Sequence, residues 1–194
     1  MKKFELTTEF ITNFLGTKLF RIKALVEFGK VEKGELGGFV EKEENLDHDG
    51  DAWVSGDAMV YGNARVSGNA EVYGDAEVYG DAMVYGNASV SGNARVYGNA
   101  WVSGNARVSG DAWVSGDQMY AAVKGFGSEY RNTTFFITKD GNVCVNCGCF
   151  SGTLEQFREK VEETHKDTKY AKEYLMIADL MEMHFKEELE KIKK

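Results

Sequence analysis

The stretch Gly50–Gly74 reads GDAWVSGDAMVYGNARVSGNAEVYG and repeats a six-residue phrase. The phrase is Asp or Asn, then Ala, any residue, Val, Ser or Tyr, and Gly. It runs without a break from Asp51 to Gly116 as eleven hexads. Repetition at a fixed period indicates a solenoid, in which each unit buries its apolar side against its neighbours. The sequence therefore predicts a rod of stacked short units.

Each hexad has the pattern of a very short strand followed by a corner. The Ala and the Val stand two positions apart, as Ala64 and Val66 do, so in an extended chain they point to the same side. Gly followed by Asn or Asp is a strong turn signal, because both residue types tolerate positive φ. We expect the Ala and Val side chains to face inward and the residues between them to face outward.

The repeated phrase resembles the hexapeptide-repeat family. That resemblance implies a left-handed parallel β-helix with triangular coils of three hexads each. We therefore expect a β-solenoid with a small α+β domain at its C-terminal end. The predicted organisation is an N-terminal cap and irregular first coil at residues 1–50, the β-helix at 51–122, and a β-hairpin with two helices at 123–194.

Aromatic side chains cluster on the outward faces of an 18-residue coil. On one face three tyrosines recur every 18 residues, and a neighbouring face carries Met and Trp. Contiguous exposed apolar area usually marks association, although Tyr and Trp are also good strand formers on an exposed sheet. Both interpretations stay open. The candidate contact surface consists of Tyr61, Tyr79, Tyr97, Met83, Trp101 and Trp113.

The corners of successive coils also stack into columns. Asn69, Asn87 and Asn105 form an asparagine column, whose amides are predicted to hydrogen-bond along the rod. A second column is mostly Asp, and it either collects a cation or is solvated as turn Asp residues ordinarily are. Its members are Asp57, Asp75, Asn93 and Asp111.

The charge distribution argues against a nucleic-acid surface on the repeat. The chain has a net charge of −8, and residues 51–117 contribute −5 of it with three basic side chains. Binding to nucleic acid depends on clustered Lys and Arg. An acidic rod suits a basic protein partner or a merely solvated surface. No apolar run approaches the length of a membrane span, so we expect no membrane contact and a cytoplasmic location.

The segments on either side of the repeat differ from it. The run from Leu19 to Leu46 ends in GELGGFVEKEENL and resembles the lead-in of phage- and prophage-borne hexapeptide-repeat proteins. After Gln118 a Gly-containing linker precedes a hairpin around Asp140-Gly141, which would pair Ile137 with Cys144. A helix is predicted from Thr153 with a capping box, and a second from near Asp167. This C-terminal ββαα unit also resembles the phage proteins, notably in NCGCFSGTLEQFREKVEETH.

Histidines are the first test for catalysis, since acyltransferases of the hexapeptide-repeat family use one as a general base. The eleven hexads contain no His. His48 lies beside them between Asp47 and Asp49, where it is either a base or an ordinary turn residue. His165 ends the first predicted helix, and His184 lies in the second. We predict no catalytic residues and no cofactor.

Three cysteines, Cys144, Cys147 and Cys149, lie close together near the C-terminal hairpin. Their C-x2-C-x-C spacing is a weak zinc signal. Strand alternation puts Cys144 and Cys147 on opposite faces, so only a bend at Gly148, with a further ligand such as His165, would gather a site. Reduced thiols are the simpler interpretation, and no metal is predicted.

These observations favour a non-enzymatic binding protein that forms a homotrimer in the cytoplasm of a bacterial host. The resemblance to phage proteins implies an anti-defence role, in which the protein binds a host defence protein or sequesters a small signalling nucleotide. The alternatives from other classes are an acyltransferase-like enzyme and a structural or virion spacer.

Overall fold

The computed structural model describes residues 1–192, and the chain divides into two compact units between Asp111 and Ala112. We call Met1–Asp111 unit 1 and the residues from Ala112 onward unit 2. The division falls earlier than the predicted end of the repeat at residue 122. Within unit 2, Ala112 forms an antiparallel bridge with Thr138, which ties the eleventh hexad to the strands that follow it.

Unit 1 begins with strands longer than a hexad allows: β1 (Phe4–Thr12), β2 (Lys18–Ala24) and β3 (Leu36–Val40). In each hexad that follows, a two-residue strand consists of the residue between Ala and Val and the Val itself. These strands are β4 (Trp53–Val54), β5 (Met59–Val60), β6 (Arg65–Val66), β7 (Glu71–Val72), β8 (Glu77–Val78), β9 (Met83–Val84), β10 (Ser89–Val90), β11 (Arg95–Val96), β12 (Trp101–Val102) and β13 (Arg107–Val108).

Each short strand pairs in parallel with the strand three hexads further on. The short strands therefore belong to three separate sheets, in the orders β4-β7-β10-β13, β5-β8-β11 and β6-β9-β12. Residues 18 apart in the sequence lie opposite each other, as Trp53 and Glu71 do. Inward Ala and Val residues from Ala52 to Val108 are at most 1% exposed. Burying each Val stabilises the coil by about 1.5–3 kcal/mol. Unit 1 is therefore a parallel β-solenoid with three-hexad coils, as the sequence predicts.

The corners require Gly because the chain adopts a left-handed backbone there, close to the next coil. Gly86 has φ +74°, and a Cβ at this position would lie 3.0 Å from the backbone N of Gly104. The predicted asparagine column is confirmed beside these corners. Asn69 donates to Asn87 at 3.0 Å, and Asn87 donates to Asn105 at 3.2 Å.

The first coil is capped partly by backbone and partly by side chains. Strand β3 pairs in parallel with β5, so it covers one side of the open edge. At one corner the Asn45 side chain donates to the carbonyls of Gly62 at 3.2 Å and Ala64 at 2.8 Å. At another, Lys3 Nζ donates to the carbonyl of Ala52 at 2.9 Å. These buried side chains thus bind corner carbonyls at the open edge.

Asn45→Leu is expected to lower the free energy of unfolding by about 2–3 kcal/mol, because buried carbonyls would lose their donors. Asn45 is fully buried, and its Oδ1 also accepts from the backbone N of Lys42 at 3.0 Å. Urea unfolding followed by circular dichroism measures the change. The control is Asn87→Leu in the exposed column, expected to cost less than about 1 kcal/mol. Equal losses in both variants would contradict the capping role.

Unit 2 contains β14 (Trp113–Val114) and an antiparallel sheet that is larger than predicted. The sheet order is β15-β16-β17-β18, from β15 (Tyr120–Val123), β16 (Thr133–Ile137), β17 (Val143–Cys147) and β18 (Phe150–Thr153). The predicted hairpin corresponds to β16 and β17. The predicted linker after Gln118 is wrong in part, because Tyr120–Val123 pairs with β16.

The predicted register of the hairpin is off by one residue. Ile137 pairs with Val143 instead of Cys144. The cause is Thr138, whose backbone N donates to the Asn142 carbonyl at 2.9 Å while its hydroxyl accepts from Asn142 N at 3.3 Å. Thr138 therefore closes a three-residue loop, whereas the prediction assumed a two-residue turn.

Two helices pack on this sheet, α1 (Leu154–His165) and α2 (Lys169–Ile192). The predicted capping box is confirmed, since Thr153 Oγ1 accepts from Gln156 N and the Gln156 side chain accepts from Thr153 N. Phe157 of α1 and Phe185 of α2 are at most 3% exposed and belong to the core of this unit. Among residues 1–192 there is no helix whose length and apolar character would suit it to crossing a membrane.

Candidate binding site in unit 2

The predicted tyrosine column exists on the solenoid. The rings of Tyr61 and Tyr79 stack at 4.9 Å with 2° between their planes, and those of Tyr79 and Tyr97 stack at 5.1 Å with 10°. Tyr79 and Tyr97 are partly buried. The 18-residue period therefore brings these rings into contact, as the sequence indicates.

Tyr61 is not available at the surface of the column. It is 4% exposed, because it packs against Leu19 and Phe39 of the N-terminal strands. Its hydroxyl donates to Glu77 Oε2 at 3.0 Å, and Arg95 binds the other oxygen of Glu77 at 3.0 Å. The contact surface predicted from the sequence therefore loses Tyr61, which is a core residue of unit 1.

The other predicted contact residues differ in exposure. Trp101 is 49% exposed, and its ring meets the edge of Tyr85, which is 37% exposed, at 6.5 Å. Met83, directly opposite Trp101 in the parallel sheet, is partly buried. Trp113 belongs to unit 2 and is partly buried there. Trp101 and Tyr85 thus form an exposed aromatic pair on the solenoid.

Tyr61→Phe is expected to reduce the loss of stability at alkaline pH. Burial raises the pKa of the Tyr61 phenol well above its ordinary value of 10.0, and the Glu77 carboxylate raises it further. The unfolded phenol ionises near pH 10 while the folded one stays protonated. The contribution of the protonated Tyr61 to the free energy of unfolding is therefore complete below pH 10. It is lost as the pH rises above 10, by at most about 1.4 kcal/mol per pH unit.

Urea unfolding near pH 8 and again near pH 11 measures this difference. The exposed Tyr73→Phe variant is the control and is expected to follow the wild-type chain. A Tyr61→Phe variant that loses as much stability as wild type on raising the pH would contradict the assignment.

His48 has a structural environment in the first coil. Its ring stacks on Phe4 at 4.4 Å, and its Nδ1 accepts from the backbone N of Lys3 at 3.2 Å. Its Nε2 lies 3.7 Å from a carboxylate oxygen of Glu43. Both ring nitrogens therefore face groups of the cap, and His48 fastens the N-terminal strand to the first coil.

The cysteines separate as the alternation of β17 predicts. Cys147 and Cys149 line a cleft in unit 2 together with His165, whereas Cys144 is not among its lining residues. The turn between β17 and β18 contains Gly148 at φ +61°, where a Cβ would collide with the Arg131 guanidinium. Within residues 1–192, no three His, Cys, Asp or Glu side chains are grouped closely enough to hold a metal ion.

The cleft has an aromatic floor. Its volume is about 250 Å³, and its apolar lining comes from Phe150, Phe157, Val161 and Tyr174. Phe157 lies at the centre of this group, with its ring 5.6 Å from both Phe150 and Tyr174. The helices α1 and α2 and the β17–β18 turn each contribute side chains, so the cleft exists only in the folded unit.

A polar network holds Tyr174 at the base of the cleft. Its hydroxyl lies 3.8 Å from Cys147 Sγ and donates to the carbonyl of Phe126 at 3.4 Å. Thr133 Oγ1 donates to the same sulfur at 3.2 Å. Burial raises the pKa of the Tyr174 phenol, and the neighbouring Cys147 adds to this. Tyr174 therefore stays neutral at physiological pH and is a hydrogen-bonding group on the floor.

The rim of the cleft carries two cationic side chains, each with a carboxylate partner. Arg131, Lys160 and His165 line it, with Glu129 as the acidic residue of the lining. Arg131 Nη2 lies 3.6 Å from Glu129 Oε2, and Lys160 donates to Glu163 at 2.7 Å. The exposed ion pairs are weak enough for a bound anion to replace them. Basic groups above an aromatic floor are suited to an amphipathic anion.

Sequence reasoning names Cys147, Cys149 and His165 but does not recognise the cleft. Its other residues come from the segment at 128–131, from Phe150 of β18 and from two helices, and no sequence motif includes all of them. The available signal was the pair of helices with aromatic stripes beside a Cys-rich turn. That pattern predicts packing, and the cleft depends on how the loop before β16 lies over Tyr174.

Comparison with known protein families supports the solenoid part of the chain. The model of the YdcK beta solenoid repeat matches residues 52–68, 60–74, 70–92, 88–104 and 100–116, which together span about a third of the chain. A search of the curated proteins gave no match. The chain thus contains a β-solenoid repeat similar to that of the YdcK family, and the cleft of unit 2 lies outside the matched residues.

Proposed function

We propose that this chain is a non-enzymatic binding protein that holds a small organic anion in the cleft of unit 2. The observation that carries the proposal is the rim of Arg131, Lys160 and His165 over the floor around Phe157. Arg131 and Lys160 hold the carboxylates of Glu129 and Glu163, which a bound anion would displace. A charge-assisted hydrogen bond from the rim would orient an anion whose apolar part rests on the floor.

The size of the cleft limits the ligand. Sites for drug-sized molecules typically measure about 300–1,000 Å³, and this cleft of about 250 Å³ is smaller. A compact carboxylate with one ring or a short apolar chain matches it. The cleft is open to solvent, so a signalling nucleotide would place only part of itself inside it.

The absence of catalysis belongs to the proposal. His48, the histidine beside the hexads, is engaged by Lys3 N and stacked on Phe4, which supports a structural role over that of a base. The acyltransferase alternative predicts that acetyl-CoA raises the melting temperature of the wild-type chain and has no effect on a His48→Ala variant. The binding proposal predicts no such shift in either chain.

Calorimetric titration with 3-phenylpropanoate tests the proposal, with the neutral 3-phenylpropanamide as the matched ligand. The carboxylate is expected to bind at least about tenfold more tightly than the amide, which corresponds to about 1.4 kcal/mol. Arg131→Gln and Lys160→Gln are expected to weaken binding of the carboxylate by a similar factor. Glu129→Gln is expected to strengthen its binding, because Arg131 loses its competing partner.

Lys186→Gln is the control, because this exposed residue of α2 does not line the cleft. It is expected to bind both probes as the wild type does. Equal affinities for carboxylate and amide, or equal weakening by Lys186→Gln and Arg131→Gln, would contradict the site. Failure to bind either probe would overturn the proposal.

The finer proposal is that the protein acts against bacterial defence from the cytoplasm of an infected host, as a homotrimer bound to a defence protein or its small ligand. It is supported by the resemblance of GELGGFVEKEENL and of the C-terminal unit to phage-borne proteins. Plating a phage on defended bacteria that express the chain tests it. Expression of the wild-type chain is expected to restore plating of the phage, and expression of Arg131→Gln is expected to restore it less. Plating that the wild-type chain leaves unchanged would contradict the anti-defence role.

A further inference from the structure

Two thiols share the cleft of unit 2 with its cationic side chains. Cys147 and Cys149 both line the cleft, whereas Cys144 of β17 is not among its lining residues. Cys147 is half-buried and Cys149 is exposed, so solvent reaches Cys149 more readily. Structural cysteines are ordinarily buried, and reactive ones are partly exposed. The two cysteines of the cleft therefore have the exposure of reactive thiols.

The turn between β17 and β18 holds these thiols together. Cys147 ends β17 and pairs with Phe150, so Gly148 and Cys149 alone form the turn. Gly148 has φ +61°, the left-handed conformation that two-residue hairpin turns require at their first central position. A single tight reversal of the chain thus presents both cysteines to the cleft.

Hydrogen bonds orient the Cys147 thiol. Thr133 Oγ1 donates to Cys147 Sγ at 3.2 Å, and the Tyr174 hydroxyl lies 3.8 Å from the same sulfur. Burial raises the pKa of the Tyr174 phenol and the neighbouring Cys147 adds to this, so the hydroxyl keeps its proton at pH values where thiols ordinarily ionise. Both hydroxyls can therefore donate to a Cys147 thiolate, the form of cysteine that attacks disulfides.

One cation lies against the turn between the two thiols. A Cβ added to Gly148 would lie 2.5 Å from Arg131 Nη1, so this nitrogen lies over the backbone that joins the cysteines. The other terminal nitrogen, Nη2, lies 3.6 Å from Glu129 Oε2. The Arg131 side chain is half exposed, so its ion pair with Glu129 is weak. A carboxylate that enters beside the thiols can therefore replace Glu129.

From this arrangement we propose that Cys147 and Cys149 exchange with a small organic disulfide that carries a carboxylate and binds in the cleft. The inference deepens the proposed anion site and rests on it for the choice of a charged disulfide. A carboxylate at Arg131 and an apolar group on Phe157 would bring the sulfur atoms of the ligand to the thiols that line the same cleft.

The exchange proceeds in two steps. The thiolate of the exposed Cys149 attacks one sulfur of the bound disulfide, a mixed disulfide forms, and the other half leaves as a thiolate with the electron pair of the broken bond. The Cys147 thiolate then attacks the Cys149 sulfur, which closes a Cys147–Cys149 disulfide and releases the second half as a thiolate. The two protons of the cysteines pass to water. The protein dithiol is thus oxidised by two electrons, and the ligand disulfide is reduced by the same two.

The Cys147–Cys149 disulfide is expected to be labile. Cysteines separated by one residue close a small ring that departs from the preferred disulfide geometry. Strained or exposed disulfides are easily reduced. A small thiol is therefore expected to restore both cysteines and reopen the cleft for another ligand.

Reaction of the full chain with dithiobis(nitrobenzoate), an aromatic disulfide with a carboxylate on each ring, tests the thiol pair. The wild-type chain is expected to release two thionitrobenzoate ions in a fast phase and, by mass spectrometry, to keep no adduct on Cys147 or Cys149. Cys147→Ala is expected to release one ion and keep the adduct on Cys149. Cys149→Ala is expected to react at least about tenfold more slowly, because the exposed thiol is missing.

Cys144→Ala is the matched control, because Cys144 lies on the same hairpin and does not line the cleft. Its fast phase is expected to equal that of the wild type, and circular dichroism checks that the cysteine variants keep α1 and α2. A wild-type chain that reacts no faster than mercaptoethanol would overturn the inference. So would a wild-type chain that keeps the adduct as Cys147→Ala does.

Neutral dipyridyl disulfide separates the thiol pair from the anion site. The rate with each reagent is divided by its rate with mercaptoethanol, which removes the intrinsic difference between the reagents. The carboxylate reagent is then expected to react several-fold faster with the wild-type chain, and Arg131→Gln is expected to remove this preference. Equal relative rates, with the disulfide still closing, would overturn the anionic ligand and the proposed site but support the thiol pair.

Discussion

Val84→Asp is expected to unfold the middle of the solenoid, lowering the free energy of unfolding by more than about 4 kcal/mol. Val84 is fully buried, and the side chains stacked on it at intervals of three hexads are Val66 and Val102. None of these offers a hydrogen bond to a carboxylate, so a buried charge would have no partner. Hydrogen exchange measured by mass spectrometry on peptides from 70–105 is expected to show lost protection.

Tyr85→Asp is the matched control, since it introduces the same carboxylate one residue away. Tyr85 points outward and is 37% exposed. Its substitution is expected to cost less than about 1 kcal/mol and to leave the protection of these peptides unchanged. If both variants lost stability equally, the inward direction of the valines would be contradicted.

Phe157→Ala is expected to lower the stability of unit 2 by about 3–5 kcal/mol. The Phe157 ring is 3% exposed and lies within 6.0 Å of the rings of Phe135, Phe150 and Tyr174. Deletion would leave a cavity where the sheet, α1 and α2 meet. The dichroism signal at 222 nm during urea unfolding measures this loss, because α1 and α2 dominate it.

The same substitution is expected to remove binding of 3-phenylpropanoate at temperatures where unit 2 remains folded, because the floor of the cleft is missing. Glu159→Ala in the same helix is the control, since Glu159 is exposed. It is expected to change neither stability nor binding by a measurable amount. Retained binding in folded Phe157→Ala would place the ligand elsewhere.

The solenoid was predictable because its causes are local. A Val every six residues, with Ala two positions before it, determines which side chains are inward, and Gly86 shows why each corner needs Gly. Stacking of Asn69 on Asn87 follows from the same period. In each case the residues that decide the structure lie within one hexad or at a fixed multiple of it.

Other features depended on contacts between distant segments. Tyr61 is buried by Leu19, which no repeat period relates to it. The hairpin register depended on hydrogen bonds between Thr138 and Asn142 that the Asp-Gly turn signal does not contain. The cleft required Arg131, Cys147, Lys160 and Tyr174 to come from separate elements. Tertiary packing determines the burial of Tyr61, the hairpin register and the cleft, and no local pattern in a single sequence indicates these contacts.

In the proposed function, the ligand binds in the cleft of unit 2 and the hexads serve as a scaffold. The most direct test is a titration of the 15N-labelled full chain with 3-phenylpropanoate, followed by amide chemical shifts. Saturable shifts are expected at Cys147–Phe150 and along α1 from Phe157 to His165, and the amides of Asp51–Gly110 are expected to stay unchanged. Shifts centred on the hexads around Trp101, or no saturable shifts anywhere, would rule out the cleft as the binding site.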